Sequence, residues 1–333
     1  MKRILLPALA LVFLAACSGD SKKNGLQKFK TDAFGSYLEI SYLGEPLTSL
    51  DFVMGNFIEN FNHSLSTYDS SSVISRINHN QSTQLDSLNF KLMGQGMWWT
   101  RASRGAFDIT VGPLVNLWGF GTQGPHKVDS AEVDSARRLC GYGMFTSSNM
   151  QLRKLNPGSC IDYNALAPGF AADQIGQMLR QKGYENFYIN VGGEILCSGV
   201  NQDSAFWLIG IEKPIPNKTG QNEAMRYIHV INQGLATSGN YRKFYMMDGK
   251  RYAHTIDPRS GYPVQHDLLS ATIIAPDAVT ADILATTCMV MGREEAKTFL
   301  SSLQGVEYYF IYSGEDDSFK EEWSPGMEKQ FEE

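Results

Sequence analysis

Several segments of this 333-residue chain carry side chains able to do chemistry. His254 and Asp257 lie three residues apart in Tyr252-Ala-His-Thr-Ile-Asp-Pro-Arg-Ser-Gly-Tyr-Pro263. That is close enough to share a site, and an imidazole is the usual proton carrier near neutral pH. A structural histidine bonded across a hairpin is the alternative. Asp282 and Thr286, in Ala278-Val-Thr-Ala-Asp-Ile-Leu-Ala-Thr286, stand at i and i+4 and so on one helix face. Hard oxygens without His or Cys suit Mg2+ rather than zinc. A threonine packed on a carboxylate gives the same spacing.

Asp108 sits between Phe107 and Ile109 in an otherwise apolar run. It either caps the next turn or reaches a polar ligand from a rigid apolar wall. Tyr68, in Ser66-Thr-Tyr-Asp69, suits a turn or offers a flat face to an aromatic ligand. The stretch from Asp162 to Asp173 leads into a helix over 174–182, with Pro168 in its first turn, where a missing N–H costs nothing. An anion such as phosphate is attracted to such a helix start, although a plain helix start has the same residues. Ile189-Asn-Val-Gly-Gly-Glu194 runs a strand into a double glycine and an acid, as a ligand-facing or an ordinary bend would.

The elements that must position these groups mix helices and strands. Leu50, Val53, Phe57 and Phe61 give helical spacing over 47–66, and Leu88, Leu92, Trp99 and Ala102 do so over 86–103. A further helix is expected over 277–291. Aromatic and β-branched runs predict strands at 187–191, 206–211, 227–231, 270–275 and 306–312. No regular βαβα alternation appears, so the expected class is α+β, one domain over 26–333 with mixed sheets and flanking helices. Gly119-Phe-Gly121-Thr-Gln-Gly124 matches a dinucleotide fingerprint, but Pro113 precedes it, Pro125 follows, and helical character resumes only near Ser130. It is a turn, not a nucleotide cradle. The acidic end, 328–333, is expected to fray.

Composition narrows the setting. There are 29 Lys plus Arg against 35 Asp plus Glu, a net charge of −6, and 43% of residues are hydrophobic. A mildly acidic globular chain without a basic run is a poor partner for nucleic acid. Residues 1–16 read as an export signal: Lys2-Arg3, an apolar stretch too short to span a bilayer, then Leu14-Ala15-Ala16-Cys17. This end resembles a bacterial lipobox, which implies cleavage before Cys17, lipid attachment there, and a polar tether over 17–25. The protein is then expected outside the cytoplasm, membrane-anchored and facing the periplasm or cell exterior. An ordinary signal peptide with a chance cysteine is the alternative. Cys140, Cys160, Cys197 and Cys288 show no metal-like spacing. Their disulfide state stays open.

Taken together, the segments resemble the ApbE family of FAD:protein FMN transferases over roughly residues 30–312. The matching runs are STYD at 66–69, SRIN at 75–78, GAFDITVGPLVNLWGFG at 105–121 and DYNALAPGFAAD at 162–173. INVGGE at 189–194, ATSGNYR at 236–242, HTIDPRSGYP at 254–263 and TADILAT at 280–286 complete them.

The resemblance implies Mg2+ held by the Ala165 carbonyl, Asp282 and Thr286. It implies FAD contacts at Phe34, Tyr68, Ala106, Phe107, Asp108, Asp162 and Pro168, and a catalytic role for His254, which also faces the flavin nucleotide. Asp257 is expected to orient or balance the imidazole. The chain departs from the family pattern twice. Phe34-Gly35-Ser36 replaces Met-Gly-Thr, and Ala167-Pro168-Gly169 lacks the family's lysine, so a charged contact to FAD is missing. The implied reaction moves FMN from FAD to a Thr or Ser hydroxyl of an exported or membrane redox protein, such as a subunit of a sodium-pumping NADH:quinone oxidoreductase, and releases AMP. Two rivals remain: an FAD pyrophosphatase giving FMN and AMP, and a non-catalytic flavin-binding lipoprotein.

Overall fold

The computed structural model describes residues 25–121, 124–215, 223–241, 244–247, 250–315 and 318–332. The export segment and Cys17 lie outside them. The chain opens with β1 (Leu26–Ala33) and β2 (Ser36–Leu43), then α1 (Leu50–Leu65), α2 (Val73–Asn78), α3 (Ser87–Ala102), α4 (Gly112–Leu117) and α5 (Ser130–Arg137). A small ribbon, β3 (Phe145–Ser148) with β4 (Gln151–Lys154), precedes α6 (Ala167–Gln181) and the strands β5 (Phe187–Val191) and β6 (Glu194–Ser198). Next come β7 (Trp207–Glu212), β8 (Ala224–Val230), β9 (Gly234–Gly239), β10 (Phe244–Met247), β11 (Lys250–Ala253) and β12 (Leu268–Ala275). The last elements are α7 (Ala278–Met291), α8 (Arg293–Leu300), β13 (Glu307–Ser313), β14 (Phe319–Trp323) and α9 (Pro325–Glu328).

Eight strands form one sheet in the order β1-β2-β5-β6-β9-β12-β13-β14, and each described neighbour pair in it is antiparallel. Strand alternation sorts its side chains cleanly. Ile40, Ile189, Leu196, Ala236, Ile273 and Phe310 face a core shared with the helices. Ile195, Leu235, Ile274, Tyr309 and Ile311 face a second core, covered by the β7–β8 ribbon and Met327 of α9. A two-layer α+β arrangement is thus capped on its far side by a ribbon.

The helix α7 is buried on nearly every side, as an element apolar all round must be. Two glycines let its neighbours approach. A Cβ on Gly169 of α6 would fall 2.5 Å from the Ala278 oxygen, and one on Gly234 of β9 would fall 2.3 Å from the Ala278 nitrogen. Both contacts are with backbone, which cannot move aside.

Expectation and structure part at the C-terminus. As far as residue 332 the end is docked rather than frayed: Phe331 bridges to Ile228 and packs on Trp323 and Tyr309, while Glu332 pairs with His229. An apolar ring between acidic residues docks the segment that composition alone would release. The glycine-rich turn at 119 follows α4, a helix rather than a strand, and α5 starts only at Ser130. Gly119 thus lacks the strand before it and the helix start after it that a dinucleotide site needs, as expected, while residues 122–123 of the run lie outside the described residues.

Candidate active site

The site is built around the inward face of α7. Its N-terminus is closed twice: Asp277 accepts the Thr280 N–H at 2.8 Å, and Asp173 of α6 accepts those of Ala278 and Val279, each at 2.9 Å. Carboxylates there satisfy orphan donors and complement the helix dipole. One turn in, Asp282 is only 4% exposed, and its Oδ2 accepts the Gly169 N–H at 3.1 Å. Burial, then the facing Glu194 carboxyl, push Asp282 well above the ordinary carboxylate range. Burial also raises Asp173 and Glu194, each to about 7. Among the described residues no Lys or Arg forms an ion pair with Asp282 or Glu194.

A hard divalent cation fits this face. Thr286 lies one turn beyond Asp282 on the same side of α7. The third expected donor is the Ala165 carbonyl, just before α6. The helix starts at Ala167 with Leu166 as its N-cap, so the Gly169 N–H is one of the donors a helix start leaves without an acceptor, and it goes to Asp282. The next N–H, of Phe170, makes the first bond of the ladder, to Leu166 at 3.0 Å. The Ala165 oxygen precedes the helix and lies outside that ladder. A carboxyl, a hydroxyl and a carbonyl make an all-oxygen set of the kind Mg2+ takes. The described residues contain no cluster of three or more His, Cys, Asp or Glu arranged for a metal.

The expected flavin contacts divide into two groups. Tyr68 is 84% exposed on a turn held by Ser66, whose Oγ accepts the N–H groups of Tyr68 and Asp69 at 3.3 and 3.2 Å. Its ring is open to stacking. Phe34 occupies the β1–β2 turn at φ 54°, an uncommon conformation for a bulky residue. Its ring meets those of Phe61 and Phe57 at 4.9 and 6.3 Å. Asp108 and Asp162 are brought side by side by the Asp162 N–H bonding to the Ile109 carbonyl at 2.7 Å. Asp108 accepts from the N–H and hydroxyl of Thr110, and Asp162 from both nitrogens of Asn164. Burial raises both acids above their usual range. Pro168 is the second residue of α6. Ala106 and Phe107, by contrast, are buried side chains, so they form the wall behind Asp108 and leave only backbone for a ligand.

His254 follows β11, with its ring 6.3 Å from that of Phe120. Phe120, Tyr245, Tyr252 and Trp118 make a row of rings at 5.2 to 5.6 Å, and the Trp118 indole donates to the Gly261 carbonyl at 2.8 Å. The next residue, Thr255, donates to Asn240 at 2.6 Å. Asn240 stands two residues past Ser238, whose hydroxyl is 3.3 Å from that of Thr286. The loop carrying His254 is therefore tied to the α7 face.

Asp257 is engaged otherwise than its spacing suggests. Its carboxylate binds the Arg259 guanidinium, Oδ1 to Nε and Oδ2 to Nη2 both at 3.0 Å, and Arg259 reaches on to Glu295 of α8. The Asp257 N–H and carbonyl also close the 257–262 turn, to Tyr262 at 2.9 Å and from Gly261 at 2.7 Å. The Asp257 carboxylate thus clamps the turn through Arg259. Spacing gave no sign of Arg259 reaching Glu295, because that contact joins distant segments. The cysteines Cys140, Cys160, Cys197 and Cys288 are all free thiols, and burial pushes Cys140 and Cys160 up to about 12.

Known proteins share this arrangement of elements. The profile of the ApbE family matches residues 34–310. A protein of Haemophilus influenzae named FAD:protein FMN transferase is 35% identical over 316 residues, 89% of either chain. One of the same name from Escherichia coli is 36% identical over 270 residues, 78% of this chain and 76% of that one. Among solved structures, the flavin transferase ApbE of Vibrio cholerae is similar with a TM-score of 0.80 at 31% identity, covering 92% of this chain and 99% of its own. The apo flavinyl transferase ApbE of Pseudomonas stutzeri gives 0.81 at 27% identity, over 92% and 97%. With the family profile spanning most of the sequence, and relatives above 30% identity along most of its length, this chain belongs to the ApbE family.

Proposed function

We propose that this chain is an FAD:protein FMN transferase that works with Mg2+ and modifies a Thr or Ser hydroxyl of an exported or membrane redox protein. The observation that carries the reading is the face of α7 on which Asp282 and Thr286 stand one turn apart, with Asp282 bonded to the Gly169 N–H at the helix start that follows Ala165. When bound, Mg2+ supplies charge neutralisation and Lewis acidity at the pyrophosphate. Tyr68 stacks on the flavin, while Asp108 and Asp162, held by Thr110 and Asn164, orient polar groups of the substrate.

The acceptor hydroxyl oxygen attacks the phosphorus of the FMN half of FAD. The bond from that phosphorus to the bridging oxygen breaks, AMP leaves, and FMN stays on the acceptor as a phosphoester. His254 takes the hydroxyl proton. The Asp257–Arg259–Glu295 clamp and the Thr255–Asn240 bond fix the loop from which it acts. Positioning and charge stabilisation dominate such a reaction, so the cation face should matter more than any single base. Pro168 offers no charge to the nucleotide.

The test is incubation with FAD and Mg2+, with and without an acceptor peptide, followed by mass analysis. A gain of the FMN mass on the acceptor, with AMP released, is expected. FMN plus AMP with no acceptor gain would make the protein a pyrophosphatase, and unchanged FAD a carrier. Cys17 is proposed as the lipid attachment site of an exported protein, because it closes an export-like segment and precedes every site residue. Cys17→Ser should move the protein from membrane to soluble fractions and leave transfer intact. A variant that stays on the membrane would refute that anchor.

A further inference from the structure

Thr286 differs from three other threonines on helices of this protein. Thr100, Thr287 and Thr298 each donate to the carbonyl four residues back, at 2.9, 2.7 and 3.1 Å. That bond is the local default for a helical hydroxyl. Thr286 instead places its oxygen 3.3 Å from the hydroxyl of Ser238 on β9. Strand alternation puts Gly234, Ala236 and Ser238 on the face of β9 that meets α7. The glycine allows close approach of the two elements at Ala278. Ser238 alone of the three carries a polar side-chain atom, and it meets Thr286.

We propose that Ser238 is a positioning residue for the cation face: it receives the Thr286 proton and so aims the Thr286 oxygen beside Asp282. The inference rests on the reading of Thr286 as a cation ligand. A neutral hydroxyl that gives a lone pair to a cation must direct its proton elsewhere, and the Ser238 oxygen is the acceptor at hand. Without it, the Thr286 hydroxyl returns to the default bond with the Asp282 carbonyl, as its neighbour Thr287 does with Ile283. The oxygen then turns from the direction it now holds. Neither hydroxyl has to titrate. Outer partners that aim a ligand typically carry about 10–100-fold in metal affinity.

The experiment titrates Mn2+, as a spin probe for the Mg2+ face, into the cation-stripped full chain and follows the resonance of the free ion. Ser238→Ala should weaken binding about tenfold, and Ser238→Thr, which keeps a hydroxyl, should restore it. Thr286→Ala should weaken binding too, and adding Ser238→Ala to it should cost nothing further, because the two act as one unit. Thermal unfolding without cation should match the wild type, and Ser238→Gly takes the place of Ser238→Ala if the alanine protein does not fold. Wild-type affinity in the serine variants, or a full further loss in the double variant, overturns the inference while leaving the cation face standing. Wild-type affinity in Asp282→Ala removes the cation face itself and the inference with it.

Discussion

The Gly169 N–H donates to Asp282 Oδ2 across 3.1 Å, and this bond does two things. It ties α6 to α7 where Gly169 lets the two backbones approach, and it gives an acceptor to an N–H that the start of α6 leaves unpaired. A helix start and a carboxyl 113 residues apart are joined where the proposed cation face lies.

Asp282→Asn separates these duties. The amide oxygen still accepts from Gly169, but the charge needed by a cation is gone. Cation-dependent FMN transfer should fall at least about tenfold. The cation-free variant should melt no lower than the wild type at pH 8, since a buried acid crowded by Glu194 has been neutralised. Normal cation-dependent turnover in this variant would refute Asp282 as a ligand.

Asp173 makes stability depend on pH. Burial outweighs its two bonds to the α7 N-terminus and raises it from 3.8 to about 7. Folding therefore holds a proton that the unfolded chain has released. The contribution is fully present below the unfolded value of 3.8 and is lost as pH rises through about 7. In chelator, the melting temperature of Asp173→Asn should fall less steeply than that of the wild type between pH 5 and 8. Parallel profiles would show that Asp173 is already ionised across this range.

Tyr68→Ala should weaken FAD binding without weakening the fold. An aromatic stacking contact is worth about 0.5–1.5 kcal/mol, a loss of roughly 2- to 12-fold in affinity. The side chain is 84% exposed, so stability should stay within about 0.5 kcal/mol. Flavin fluorescence titration and thermal unfolding check the two halves. Unchanged affinity would remove Tyr68 from the flavin face.

The clamp at Asp257 is tested by a double-mutant cycle with Arg259. Asp257→Asn and Arg259→Gln should each reduce transfer, and the double variant should lose little more than either, because both break one ion pair. If Asp257 served His254 directly, Asp257→Asn should instead be non-additive with His254→Ala and independent of Arg259→Gln.

The sequence made α7 legible because a mostly apolar run follows a capping aspartate; the expected 277–291 became Ala278–Met291, and the i, i+4 spacing placed Asp282 and Thr286 on one face. The strand at Phe187–Val191 was equally plain from its β-branched and aromatic residues. What periodicity does not carry is which element lies opposite. Nothing local to Gly169 announces Asp282, and nothing local to Ser238 announces Thr286. The clamp at Asp257 was hidden for the same reason: Glu295, which completes it through Arg259, arrives from α8. The acidic end was misjudged because charge was weighed over the one residue, Phe331, that docks it.

The order of strands in the large sheet has a consequence for how the protein matures. Its middle is filled by β6, β9 and β12, and α7 follows only after residue 275. A chain emerging from its N-terminus presents Tyr68 and Asp108 long before the helix that bears Asp282 exists. Such distant pairings form slowly, since loop closure must precede them. Under the proposed function, nucleotide and cation meet a competent protein only when its last sixth has been delivered, and a truncated chain ending before α7 lacks Asp282 and Thr286 altogether.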